Sequence, residues 1–441
     1  MSLLEKANIV NNNPEETKKS ILPALKNSGL AKRIDIFIII VLFILIVTPI
    51  VTNLFIKAEA AAKHVNLYLS EYSEDLFGKR MMEELLLEFE EIYPDIKIKF
   101  INNSAATAAA NTNATATVTV IEPDIYLFTD GDFNLLAAND SLAELSIFTN
   151  YDSGSPQLAI PLVSFMDLLF YNIDLLTRAG FGSPPKSRDE FIAYARTVSR
   201  GDFDAAGAAI SLSSDDRQAV SRDIFSWIWA SGGNFWLEGD KPLLNSRTVI
   251  NDITFIGLLN RDRVFAPDIF ETTGDQRLDQ FAQGKIALMI SSARAIPYLR
   301  EKMGDDAFGV TTIPDSGTGG RYSVNISAIY AGINANTDYP QEAWIFLEFL
   351  AERSPLINAE LKAIPGVISD IIPGDYVKND PFYAKAWDIF ESAEIAENFI
   401  GKQNAEQYEN IFLEELQIFF ETTRTAQATI NVIQQRWNAV E

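Results

Sequence analysis

The chain has 441 residues, 47% of them hydrophobic and 22% charged, with a formal net charge of −24 at pH 7, one histidine and no cysteine. That length and apolar content can bury cores in more than one domain, and they argue against intrinsic disorder. The acidic balance excludes binding to a nucleic-acid backbone, which needs clustered Lys and Arg. Without cysteine there is no disulfide framework, thiolate nucleophile or lipidated Cys anchor, and the lone His64 leaves His-based metal sites and Ser-His-Asp catalysis without their parts.

Residues 1–31 are polar, with Asn11, Asn12, Asn13 and Pro14 in a row, and read as a poorly ordered tail. Ile36 to Ile56 is almost wholly apolar and as a helix would be roughly 31 Å long, enough to cross a bilayer. Lys18, Lys19, Lys26, Lys32 and Arg33 precede it, so the positive-inside rule puts the N-terminus in the cytoplasm and everything after Lys57 outside. Ala58-Glu59-Ala60 keeps a cleaved signal peptide as the alternative, with the same topology; the long apolar run and long charged leader favour a retained anchor.

Asn66 to Ser70 alternates like a first strand, and Asp75 to Tyr93 is an amphipathic helix with Met82, Leu85, Leu86, Phe89 and Ile92 on one side, ended by Pro94. Asp95 to Ile101 alternates again, completing a strand-helix-strand unit of a parallel sheet. Ala105 to Thr119 is a low-complexity bridge of Ala, Thr and Asn. Pro123 to Asp130 reads as a buried strand with polar groups at its carboxyl end, where open α/β sheets hold ligands.

Leu162 to Tyr171 suits a buried strand and Asn172 to Ala179 a short helix, which the run from Gly180 to Pro185 must stop. Ser187 supplies an N-cap and Asp189 and Glu190 first-turn carboxylates for a second helix with Phe191, Tyr194, Ala195 and Val198 on one face. Arg222 to Trp236 holds three of the six tryptophans.

Within this stretch, Tyr171-Asn172, Asp174-Leu175-Leu176, Ala179-Gly180, Pro184-Pro185 and Asp189-Glu190 together resemble the YN-x-DLL-x-x-AG-x-x-x-PP-x-(S/T)-x-DE segment of the extracellular solute-binding proteins of ABC importers, the family of maltose-binding protein. Gly232-Gly233, Phe281 to Met289 (F-x-x-GK-x-AM in the family), Phe308-Gly309-Val310 and Glu342 to Leu347 extend the resemblance, which runs from about Val65 to Glu441. Asp140 or Ser141 stands where the family's LAEL block usually carries glycine.

The resemblance implies an α/β, two-lobed periplasmic-binding-protein fold of the class II type, with discontinuous lobes and a hinge, after an N-terminal transmembrane helix. The implied division is a tail (1–35), an anchor (36–56), a first lobe of 64–162 with 287–335, and a second lobe of 163–286 with 336–441. The implied function is an extracytoplasmic solute receptor of an ABC importer. It would be a monomer facing the periplasm or cell exterior, capturing a carbohydrate between closing lobes and handing it to permease subunits, without catalysis, cofactor or metal. An anchored carbohydrate-active enzyme with paired carboxylates, Glu71 and Asp130, is the alternative.

Ligand residues are nominated by position. Glu71 and Tyr72 follow the first strand; Phe128, Asp130 and Asp132 end or follow the Pro123 strand; Phe165 and Asp167 lie at the crossover between lobes. Arg222, Trp229, Trp236, Arg294, Tyr322 and Asn325 are taken from the other lobe. Aromatic faces stack on sugar rings, and carboxylates, amides and guanidinium groups pair with hydroxyls. Arg294 stands where many sugar-binding relatives carry an aromatic platform, and Trp227 and Trp229 compete with a core role in an apolar helix.

Overall fold

The computed structural model describes residues 65–70, 77–101, 122–148, 157–216, 218–237, 241–317, 320–363, 377, 379–402 and 404–440. The expected tail, membrane segment and low-complexity bridge, and the nominated Glu71 and Tyr72, lie outside the described residues. No helix among the described residues is long and apolar enough to cross a membrane.

Strand β1 (Val65–Leu69), helix α1 (Lys79–Ile92) and strand β2 (Ile96–Phe100) form the expected unit, with β1 and β2 parallel. Strand β3 (Ile125–Thr129) runs into α2 (Asp130–Ala138), and β4 (Ile160–Asn172) into α3 (Ile173–Arg178). The Asn172 side chain accepts the Leu175 N–H at 2.9 Å, capping α3. Ser187 caps α4 (Arg188–Arg200) through the Glu190 N–H, as its N-cap position predicts.

Then come β5 (Ala206–Ala209), a π turn (Ser221–Phe225) continuing into α5 (Ser226–Ala230), the hairpin β6 (Trp236–Leu237) and β7 (Lys241–Pro242), and α6 (Arg247–Arg261). Helix α7 (Gly274–Ala282), with a Thr273/Gln276 capping box, leads to β8 (Ile286–Ser292), α8 (Ile296–Met303), β9 (Phe308–Thr311), β10 (Ser323–Val324) and β11 (Ile326–Ile333). Helices α9 (Pro340–Leu361) and α10 (Pro381–Ser392), strand β12 (Glu394–Ile395) and helices α11 (Ala405–Glu421) and α12 (Ala426–Trp437) complete the order.

Strand β4 organises the architecture. Residues 162–170 are buried without alternation, as a strand covered on both faces requires. Its first half, to Met166, pairs antiparallel with β11, which also pairs with β3. From Asp167 onward it pairs instead with β8 and β9, and β8 pairs in parallel with β5. One strand therefore belongs to two sheets, and the change of partner at Met166/Asp167 marks the passage between two lobes.

Each lobe has its own core. In the first, Leu67, Leu85, Phe89, Val163, Ile329, Phe346 and Leu350 pack together, with Phe89 edge-on to Phe346 at 4.9 Å. In the second, one cluster joins α4, α5, α6, α11 and α12, and another lies between β8, β9 and α10. Gly207 is demanded by packing, because a Cβ there would stand 1.9 Å from the Ala195 carbonyl of α4.

This redraws the lobe boundaries of the sequence reading. Residues 287–325 had been placed in the first lobe, but β8 and β9 bond to the outer half of β4 and pack in the second. Residues 336–363 had been placed in the second lobe, but α9 buries Phe346, Leu347 and Leu350 against α1 and β4 in the first. Apolar runs state that a segment is buried, and only strand pairing states against what.

Candidate functional site

A cleft of about 840 Å³ opens where the lobes meet. Asp130, Asn134 and Ser327 line it from the first lobe, Asp167 and Asn325 from the crossing strands, and Ser213, Arg222, Arg294, Asn398, Glu409 and Asn410 from the second. Its base is where the strands pass between the lobes. The Asp167 N–H donates to the Asn325 carbonyl at 3.0 Å, and Asn325 Nδ2 donates back to Asp167 Oδ2 at 2.8 Å. The Ser226 hydroxyl lies 3.4 Å from the same carboxylate oxygen, and Asn398 Nδ2 lies 3.4 Å from both Asn325 Oδ1 and the Ile326 carbonyl. Four chain segments thus meet at one polar knot.

Asp130 stands at the start of α2, where the helix dipole favours a carboxylate. Both its oxygens accept the Ala328 N–H, at 3.1 and 3.2 Å, and the Tyr330 hydroxyl also bonds to it. Burial pushes its pKa up to about 7, outweighing those bonds, with Asp167 and Glu409 adding like-charge repulsion. Burial likewise pushes Asp167 up to about 6 and Glu409, which accepts the Ser221 hydroxyl at 2.7 Å, up to about 7.

Five nominated residues therefore come together in the cleft: Asp130, Asp167, Arg222, Arg294 and Asn325. Arg222 has a prior engagement. Its guanidinium bonds Asp216 Oδ2 at 2.9 Å and the two oxygens of Asp223 at 3.1 and 3.2 Å. Asp223 is itself buried and accepts the Ser211 N–H, while Asp216 accepts the Gly274 N–H at the start of α7. Arg294 forms no ion pair among the described residues and lies 5.9 Å over the Phe165 ring.

The remaining nominations sit elsewhere. Trp229 and Trp236 are core residues, 1% and 5% exposed, packed on Phe235 and Phe399 respectively. Phe128 is buried against Phe133 and Tyr330, and Phe165 is buried beneath Arg294. The Tyr322 hydroxyl accepts the Ile313 N–H at 3.0 Å, and Asp132 is exposed in the first turn of α2; neither lines the cleft. Aromatic residues gain most from burial, so a tryptophan within an apolar helix goes to the core unless a groove cuts into that helix.

Asn134, Asn398, Glu409 and Asn410 were missed. Position at strand ends drew attention to the sheet, whereas these come from α2, the loop after β12, and α11. A signal existed for the last two: Glu406, Glu409 and Asn410 are polar on a helix whose Tyr408, Ile411, Phe412 and Leu416 form its buried face. Asn134 also joins the lobes, donating to the Phe399 carbonyl at 3.1 Å and accepting the Gly401 N–H at 2.9 Å.

Of the two carboxylates in the enzyme alternative, Asp130 is bonded to the Ala328 N–H and the Tyr330 hydroxyl, and Glu71 lies outside the described residues.

A family model described as bacterial extracellular solute-binding protein matches residues 74–354. A curated relative, "Probable ABC transporter-binding protein" of Deinococcus radiodurans, is 23% identical over 261 residues, 56% of this chain; the chain spans 60% of that relative's length. Among solved structures, an ABC transporter solute-binding protein of Thermotoga lettingae bound to α-D-tagatose superposes with a TM-score of 0.65 at 16% identity, covering 85% of this chain and 99% of that one. A maltose-bound protein of T. maritima gives 0.63 at 17% identity, over 85% and 99% of the two chains. A substrate-binding protein of Listeria monocytogenes in complex with cycloalternan gives 0.61 at 16% identity, over 85% and 98%. At such identities the likeness is one of fold. Fold, interlobe cleft and family match agree: the chain belongs to the bacterial extracellular solute-binding proteins.

Proposed function

We propose that this receptor captures a carbohydrate, a sugar or oligosaccharide, between its two lobes and delivers it as a monomer to the permease subunits of an ABC importer. The observation that carries this reading is the cleft itself. Both lobes and their connecting strands line it with carboxylates, amides, serine hydroxyls and the Arg294 guanidinium, which has no ion pair among the described residues, the groups that satisfy a rim of sugar hydroxyls. The solved relatives that hold tagatose, maltose and cycloalternan support the same class of solute.

Asp130, Asp167, Asn325 and Arg294 are proposed to contact the solute, together with Asn398 and Glu409, while Arg222 holds the wall on which they stand. Ile36 to Ile56 is proposed to tether the receptor with its binding lobes facing the periplasm or cell exterior. A tether raises the receptor's concentration near the permease, so modest affinity is enough.

The test is a thermal-shift and tryptophan-fluorescence screen of the protein against mono- and oligosaccharides, uronates, polyamines and phosphate esters. A ligand that binds only the folded state must raise the melting temperature. A saturable shift with a sugar, recovered unmodified, is expected. A shift confined to non-carbohydrates would overturn the reading.

A further inference from the structure

The cleft's charges do not balance internally. Arg222 is neutralised by Asp216 and Asp223, and the fork of Arg277 is taken up by the Ile210 and Pro267 carbonyls and the Gln280 amide. Asp130, Asp167 and Glu409 make no ion pair among the described residues. Their partners are neutral donors: the Ala328 amide and Tyr330 hydroxyl, the Asn325 amide and Ser226 hydroxyl, and the Ser221 hydroxyl. Arg222 acts on Asp167 only through space, its own hydrogen bonds being spent on Asp216 and Asp223.

Position supplies a second argument. Asp130 belongs to the first lobe, Asp167 to the hinge strand and Glu409 to α11 of the second lobe, and Asp130 feels the charges of both others. Closing the lobes brings Asp130 and Glu409 toward each other. With a neutral solute that approach is opposed by like charge. With a cationic solute between them it becomes favourable, so charge on the solute would be coupled to closure.

Resting on the carbohydrate reading above, we propose that the solute is a carbohydrate bearing a protonated amine, received among Asp130, Asp167 and Glu409, with Arg294 left to bond its hydroxyls. An ammonium supplies three donors, meets carboxylates with charge-assisted bonds and holds ionised the carboxyls that burial otherwise pushes toward the neutral form.

The experiment is calorimetric titration of the full chain with D-glucosamine, N-acetyl-D-glucosamine and D-glucose, and with the tetramers of the first two. These probes share a ring and differ in amine charge. The amine-bearing member should bind at least about tenfold tighter than its N-acetylated counterpart, and the preference should shrink as salt rises from about 20 mM to about 300 mM. Asp130→Asn with Glu409→Gln should abolish the preference. Glu409→Gln alone, whose amide oxygen can still accept the Ser221 hydroxyl, should reduce it and guards against a double variant that fails to fold. Neutral sugars binding as tightly as their amine forms would overturn the proposal and leave the carbohydrate reading standing. No binding by either series, from protein with an intact melting transition, would overturn the amine proposal, the carbohydrate reading then being decided by the wider panel above.

Discussion

Arg222 and Arg294 both line the cleft, yet the structure gives them opposite duties, and replacing each separates them. Arg222→Met keeps an apolar stem but removes the guanidinium from Asp223, 3% exposed, and from Asp216. Breaking a buried ion pair from one side costs about 3–5 kcal/mol, because a charge is left uncompensated. Asp223 keeps the Ser211 N–H and Asp216 keeps the Gly274 and Gln218 amides, so the lower end, about 3 kcal/mol, is expected. For a lobe of roughly 200 residues that lowers the melting temperature by about 6–12 °C.

Loss of Arg222 would also raise the pKa of Asp223, which burial already pushes up against the pull of Arg222. A carboxyl whose folded pKa exceeds its unfolded value favours the folded state most at low pH and loses that advantage as pH rises. The penalty of Arg222→Met should therefore be smaller at pH 5 than at pH 8. Arg294→Ala removes a guanidinium with no ion pair among the described residues and should change stability by no more than about 0.5 kcal/mol while weakening sugar binding. Differential scanning calorimetry of both variants decides. Arg222→Met melting within 2 °C of the parent, or Arg294→Ala falling as far, would refute the division of labour.

The three raised carboxyls make stability depend on pH. Asp130 and Glu409 titrate at about 7 and Asp167 at about 6 when folded, above their ordinary values, so their contribution is complete below about pH 4 and is lost as pH rises through 6 to 7. Asp130→Asn cannot lose it, so its melting temperature relative to the parent should climb by several degrees between pH 5.5 and pH 8; a flat difference would contradict the assignment. Asn134→Ala removes the bonds to Phe399 and Gly401 and should cost about 1 kcal/mol, with a larger ligand-free radius of gyration by small-angle X-ray scattering as the lobes part. Gly207→Ala forces a methyl against the Ala195 carbonyl and should destabilise the second lobe by about 1–3 kcal/mol in urea unfolding, whereas Gly182→Ala, with open space around it, should be near neutral.

Much of the local structure was legible because it is written in neighbouring residues. Ser187 caps the helix it precedes, Pro94 and the Gly180–Pro185 run stop the helices they follow, and Leu162–Tyr171 is the buried strand its composition demands. Asp167 on that strand and Asp130 at the end of β3 both line the cleft. The tryptophans misled for a reason that lies in three dimensions: Trp229 and Trp236 are equally suited to stack on a sugar or on Phe235, Phe399 and Trp437, and only the packing of α11 and α12 over them chooses the second.

By itself, the sequence determined the class of protein: alternating strands and helices, a motif spaced along one segment, and an acidic, cysteine-free composition without catalytic histidine. Tertiary structure alone decided which segments share a lobe, since hydrophobic burial has no address and β4 can be assigned to two sheets only once its partners are known. It also decided the role of each charge. Arg222 and Arg294 are the same side chain on paper, and what separates a structural ion pair from a guanidinium with none among the described residues is that Asp216 and Asp223 are folded against Arg222.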